Sequence, residues 1–209
     1  MNNNYDRTAG FYDTLSNVVF GDALMEAQRS GLKFIPEKAK ILIAGGGTGV
    51  ILEEITRLRP VGINITYVEI SEKMIEVAKK RNVGENNVQF VNVAIESFQS
   101  DERFDVIITS FLFDNFKQDK AEVVFNVLDN LLVPNGVWLF TDFNVDQNHS
   151  KIWQKWLLKS MYLFFKVLSN VEASELPELE MLFVNAEYKM VFQKFFYRNF
   201  IKSLVYQKP

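Results

Sequence analysis

The sequence predicts an α/β fold: a doubly wound, mostly parallel sheet that finishes in an antiparallel hairpin. Three observations carry this. Short apolar, β-branched runs alternate with helical patterns along most of the chain. The first of those runs ends in four closely spaced glycines, Gly45, Gly46, Gly47 and Gly49, and a helical pattern follows at once. At the C-terminus two strand-like runs are separated by Arg198 and Asn199 alone, the spacing of a tight hairpin.

The elements follow in order. Residues 1–34 read as a helical preface, because "FYDTLSNVVFGDALMEAQRSGLKFI" places apolar residues at loose helical spacing. "AKILIAG" (39–45) is a continuous apolar run, as a parallel strand buried on both faces requires. "GVILEEITRLRP" is a helix on which Ile51, Ile55 and Leu58 share a face, with Pro60 marking its end. "INITYVEI" (63–70) is the second strand, and Ser71 is placed to cap the helix "EKMIEVAKKR". "VQFVNV" (88–93), "FDVIITSF" (104–111) and "VWLFTDF" (137–143) are three further strands. The helix "DKAEVVFNVLDNLL" (119–132) and a turn at "PNG" (134–136) separate the last two. "YKMVFQKFFY" and "FIKSLVYQ" form the closing hairpin.

Composition narrows the function. A chain of 209 residues is expected to be a single domain with room for a real core. It has no cysteine, which excludes disulfides and cysteine-based metal or redox sites. One histidine, His149, cannot build a histidine cluster. A net charge of −3 gives no general attraction to nucleic acid. The opening "MNNNYDRTAG" lacks the basic-then-apolar order of a signal peptide, and no apolar run reaches the ~18 residues of a membrane span. A cytoplasmic location is the expectation. The 19 phenylalanines read as a compositional bias of the source.

Four glycines in five positions demand more than a turn, since each costs backbone entropy. They sit where the first strand ends, the place where open α/β sheets bind ligands. Bare backbone there can approach a ligand closely, and the N–H groups opening the next helix favour a carboxylate or phosphate. Gly45 to Gly49 gives G-x-G-x-G, but the sixth position is Val50, so the dinucleotide fingerprint is incomplete. Glu69 ends the second strand, where an acidic side chain can accept hydrogen bonds from ribose hydroxyls. Together these imply a nucleoside ligand with an anionic group. They do not separate a nicotinamide dinucleotide from S-adenosylmethionine.

"ILIAGGGTG", "YVEISEKMIEVAKKR", "FDVIITSFLFDNF" and "LLVPNGVWLFTDF", in that order, resemble the successive motifs of class I S-adenosylmethionine-dependent methyltransferases over about residues 36–145. The opening "YDRTAGFYDTL" is similar, over a short stretch, to the start of ubiquinone and menaquinone biosynthesis methyltransferases. The resemblance implies a Rossmann-like sheet of seven strands whose last inserted strand is antiparallel. It implies a helical cap (1–35), a cofactor-binding core (36–145), a helical insertion on the substrate side (146–187) and the hairpin (188–209). It implies S-adenosyl-L-methionine as cofactor and a methyltransferase, hence transferase, activity. Position by position, Ala44, Gly45, Gly46, Gly47, Thr48 and Gly49 would hold the methionine part and Glu69 the ribose. Ile70 and Met74 would flank one side of the adenine, and Ala94 and Ile95 the other. Ser110 would offer backbone to the methionine amino group. Two positions depart from the family pattern. Ile43 and Ala94 stand where acidic residues are usual, removing polar anchors worth about 0.5–1.5 kcal/mol each. Glu96 is a candidate to substitute.

Methyl transfer from a sulfonium needs no metal. A general base is not identifiable. Asp114, Asp142 and His149 follow strands on the carboxyl-end side, and Tyr12 and Asn115 are further pocket candidates. In "KIWQKWLLKSMYLFFKVL" (151–168), Lys151, Lys155, Lys159, Tyr162 and Lys166 recur on one face, with Trp153, Trp156, Leu157, Phe164 and Phe165 around the rest. This segment reads as a packed surface helix, as a lid over an apolar or aromatic small-molecule acceptor, or as a peripheral membrane contact. Two other functions remain open from the residues: a nicotinamide-dependent oxidoreductase, and a non-catalytic nucleoside-binding module on the same fold.

Overall fold

The computed structural model describes residues 20–145, 151–154, 156–158 and 176–209. The preface before Phe20, including Tyr12, lies outside the described residues, as do His149, Lys155 and the basic segment from Lys159 onward. Among the described residues no helix is long and apolar enough to cross a membrane.

Seven strands form one sheet: β1 (Lys40–Ala44), β2 (Val61–Glu69), β3 (Glu85–Asn92), β4 (Phe104–Ser110), β5 (Leu132–Phe143), β6 (Lys189–Phe196) and β7 (Ile201–Gln207). Their order is β3-β2-β1-β4-β5-β7-β6. β1 to β5 pair in parallel, while β7 runs antiparallel between β5 and β6. The order reverses between β1 and β4, so a crevice opens beyond their C-terminal ends. The expected doubly wound sheet with its antiparallel hairpin is therefore present.

Local chemistry accounts for most boundaries. Four of the five residues of β1 are buried, as its continuous apolar run requires. Ser71 caps α3 (Glu72–Ala78) by accepting the Met74 N–H at 3.2 Å. Phe200 N–H bonds back to the Tyr197 carbonyl at 3.1 Å around Arg198 and Asn199, whose φ angles of 54° and 67° suit the primed turn of a right-twisted hairpin. The "PNG" turn appears differently. β5 begins earlier, at Leu132, and its pairing jumps from Phe104↔Leu132 to Val106↔Val137, so Val133–Gly136 loop out within the strand. The face shared by Ile51, Ile55 and Leu58 is not covered along its whole length. In α2 (Val50–Leu58) the buried residues are Ile51, Leu52, Glu54 and Ile55, whereas Leu58 is 39% exposed. It is the last helical residue and has no following turn to cover it.

The helices cover both faces of the sheet. One core gathers Trp138, Phe113, Phe140 and Tyr206 with α4 (Gln118–Leu131) and α5 (Glu180–Asn185). The other gathers Ile41, Ile43, Tyr67 and Val106 with α2 and the residues that follow α1 (Ala23–Gly31). Trp138 is fully buried, stacks on Phe125 at 5.2 Å, and donates its indole N–H to Thr109 Oγ1 at 2.9 Å. Trp138→Ala is expected to lower the unfolding free energy by about 3–5 kcal/mol, read from urea denaturation followed by circular dichroism.

Candidate active site

A cavity of about 540 Å³ opens beyond the C-terminal ends of β1, β2 and β4, with α1 as one wall. That size suits a nucleoside-sized ligand, since small-molecule sites run ~300–1,000 Å³. Gly45, Gly46, Gly47, Thr48, Glu69, Ile70, Met74, Ala94, Ile95 and Ser110 all lie on its wall. Ala44 is fully buried within β1, and Gly49 caps α2; neither lines the cavity.

The glycine turn is built by close approach. A Cβ on Gly46 would stand 2.2 Å from the Tyr67 ring, so no larger residue fits without moving that ring. Gly47 has φ 62°, and a Cβ built on it would meet nothing within 4 Å. Bare backbone therefore borders open cavity at this point. Glu69 stands beside it, 6% exposed. Its Oε2 accepts the Gly47 N–H and its Oε1 accepts the Ser71 N–H, each at 2.9 Å. A carboxylate placed here, on the rim of an open cavity, fits the ribose role that the resemblance implies.

The positions that lack acids are now visible. Ile43 is 2% exposed and presents apolar wall. Two residues past Ala94, Glu96 lies on the wall and pairs with Lys120 at 2.7 Å. Lys120 Nζ also lies 5.1 Å above the Phe116 ring.

Sequence reasoning missed the α1 wall, which brings Met25 and Arg29 to the cavity. Arg29 donates through Nε and Nη2 to both carboxylate oxygens of buried Glu54, at 2.5 and 2.9 Å, and Arg57 donates to the same group. The Arg29 hydrogen bond, opposed in part by burial, holds the Glu54 carboxyl below its usual value. The buried acid at position 54, on the inward face of an amphipathic helix, was the available signal: a buried charge needs a partner.

Asp114 and Asn115 also line the cavity, on the short helical turn Phe113–Asn115 after β4. Asn115 Nδ2 donates to Asp114 Oδ1 at 2.7 Å and to the carbonyl of Phe111 at 3.1 Å. Asp142, at 4% exposure, is not on the cavity wall. It lies behind the turn and accepts the backbone N–H of Phe143 at 2.8 Å and those of Phe113 and Asp114. Burial pushes the Asp142 carboxyl up to about 7, against the pull of those N–H groups and of Lys202, its cross-strand neighbour. Burial, followed by the charge of Asp142, raises Asp114 well above the carboxylate range.

A carboxyl raised on folding stabilises the native state fully below its ordinary value near 3.8, and that contribution is lost as pH rises through the folded value. Glu54, being lowered, is already ionised in both states above pH ~5 and adds no slope there. The melting temperature should therefore fall between pH ~5 and ~8. The fall should shrink in Asp142→Asn and shrink again when Asp114→Asn is added. Thermal melts across this window check it, and a flat wild-type profile counts against the buried pair.

A family model described as a methyltransferase domain matches residues 41–136. Among curated proteins, malonyl-[acyl-carrier protein] O-methyltransferase 2 of Ilyobacter polytropus is 30% identical over 152 residues, covering 70% of this chain and 54% of that protein. The malonyl-[acyl-carrier protein] O-methyltransferase of Bacillus anthracis is 38% identical over 105 residues, covering 50% of this chain and 37% of that one. The chain thus spans about half, or less, of the length of these curated relatives. Among solved structures, Burkholderia thailandensis 1,6-didemethyltoxoflavin-N1-methyltransferase, with bound 1,6-didemethyltoxoflavin and S-adenosylhomocysteine, matches with a TM-score of 0.68. That match covers 97% of this chain and 85% of the other at 18% identity, a likeness of fold. With the domain model lying over the stretch that carries the ordered motifs, and the sheet they imply in place around it, the chain carries a methyltransferase-domain match at residues 41–136 on the Rossmann-like methyltransferase fold.

Proposed function

We propose that this protein transfers a methyl group from S-adenosylmethionine to a small acceptor. One observation carries the reading: the carboxylate of Glu69 stands beside the open backbone of Gly47, on the rim of a 540 Å³ cavity at the switch in strand order. When bound, S-adenosylmethionine supplies an activated methyl and its own leaving group. The chain binds, aligns and keeps water out. Within the turn Ala44–Gly49, the wall residues Gly45, Gly46, Gly47 and Thr48 would hold the methionine part while Ala44 and Gly49 anchor the turn's ends, and Glu69 would accept from the ribose hydroxyls. Ile70 and Met74 would pack on one face of the adenine, Ala94 and Ile95 on the other, and the Ser110 backbone would meet the amino group.

The acceptor side is framed by Met25 and Arg29 on α1 and by Phe111, Asp114 and Asn115 after β4. Asp114 is the one carboxyl in this group, and it would accept a proton from an oxygen or nitrogen nucleophile only in its ionised form, which burial and the Asp142 charge disfavour. The curated relatives support a second reading, a carboxylate acceptor carried on an acyl-carrier protein. A carboxylate is already ionised at neutral pH and would need no base. The work is proposed to take place in the cytoplasm. Ile152 and Trp156, 76% and 71% exposed, support keeping a peripheral membrane contact for the 151–168 segment as part of this proposal.

Calorimetry with S-adenosylhomocysteine is the test. Wild type is expected to bind measurably, and Glu69→Ala about tenfold or more weakly, as loss of a charged hydrogen-bond partner requires. Should NADH raise the melting temperature while S-adenosylhomocysteine does not, the reading is wrong.

A further inference from the structure

Gly47 is held on both sides of its Cα by a single strand. Its N–H donates to Glu69, and its carbonyl accepts the Tyr67 hydroxyl at 2.8 Å. Both side chains leave β2 on one face, two residues apart. The Tyr67 residue is fully buried, and its ring lies 5.2 Å from that of Phe90. It occupies the space in which a Cβ on Gly46 would stand. On the cavity side, nothing lies within 4 Å of the Gly47 Cβ position. The turn is therefore supported from β2 and bare toward the ligand.

We propose that Tyr67 is a positioning residue that presets the glycine turn for the amino-acid end of the cofactor. This rests on the reading that the turn contacts that cofactor. Glycine gives the peptide after Gly47 freedom to flip, because it tolerates many backbone conformations. A buried phenol hydroxyl must find a partner. By bonding the Gly47 carbonyl, Tyr67 holds that peptide in one orientation. A trans peptide points its N–H opposite to its carbonyl, so the same bond sets the direction of the Thr48 N–H. Ribose hydroxyls that bonded Glu69 would weaken its hold on the Gly47 N–H. The Tyr67 bond does not involve the ligand, and it keeps the turn in shape as that exchange occurs.

The experiment compares Tyr67→Phe, which keeps the ring, with Phe90→Leu, which disturbs the ring's packing and keeps the hydroxyl. S-adenosylhomocysteine affinity is measured by calorimetry, apo stability by thermal melting, and the Thr48 amide 15N resonance by NMR. Tyr67→Phe is expected to bind about three- to tenfold more weakly and to shift the Thr48 resonance before ligand is added. Phe90→Leu is expected to lose stability with affinity within about twofold of wild type. If wild type binds and Tyr67→Phe binds equally well, the positioning role is overturned and the methyltransferase reading stands. Weakened binding in both variants, tracking stability alone, also overturns it. If wild type binds no S-adenosylhomocysteine, the proposed function itself falls.

Discussion

The rest of the site depends on one carboxylate that accepts two backbone N–H groups. Glu69 ties the glycine turn after β1 to the first turn of α3 after β2, at 2.9 Å on each side. Charge-assisted bonds of this kind are among the stronger ones a fold can make, and burial raises the cost of losing them. The bond joins two loops that otherwise share only the strands beneath them. It also holds an acid where the sheet opens, in a geometry that hydroxyl groups of a ligand can reach.

Around that tie the molecule keeps hydrophobic packing and polar chemistry on separate levels. Trp138, Phe125 and Phe183 interlock below one face, and the aliphatic cluster of Ile41, Leu52 and Ile55 fills the other. Polar side chains gather beyond the strand ends, and the buried acids among them are met by donors. Glu54 is met by two guanidinium groups, and Asp142 by backbone N–H groups of the adjoining turn. The Asp114–Asp142 pair shows how a turn gains a raised carboxyl. The turn after β4 and the end of the adjacent β5 bring two acids together, burial disfavours their charge, and more backbone donors reach Asp142 than Asp114.

Much of this was legible in the residues. The alternation of runs, Ser71 as cap, the turn at Arg198 and Asn199, and an acid ending the second strand are local signals. Each depends on neighbours a few positions away, where periodicity and backbone preference act directly. The exposure of Leu58 was not legible, because periodicity assigns a face and does not say where that face stops being covered. The β5 loop-out was missed because a turn dipeptide does not reveal that the strand resumes its pairing on the far side.

By itself, the sequence determined the α/β class, the order of elements, the glycine turn and the carboxylate one strand over, because each is written in short-range spacing and in the steric needs of single residues. Only the tertiary structure decided that α1 walls the cavity, that Arg29 meets Glu54 25 positions away, and that Tyr67 seats itself against Gly46 and holds Gly47. Those contacts come from which faces the sheet order brings together, and a pattern of faces along one chain does not specify its own partners.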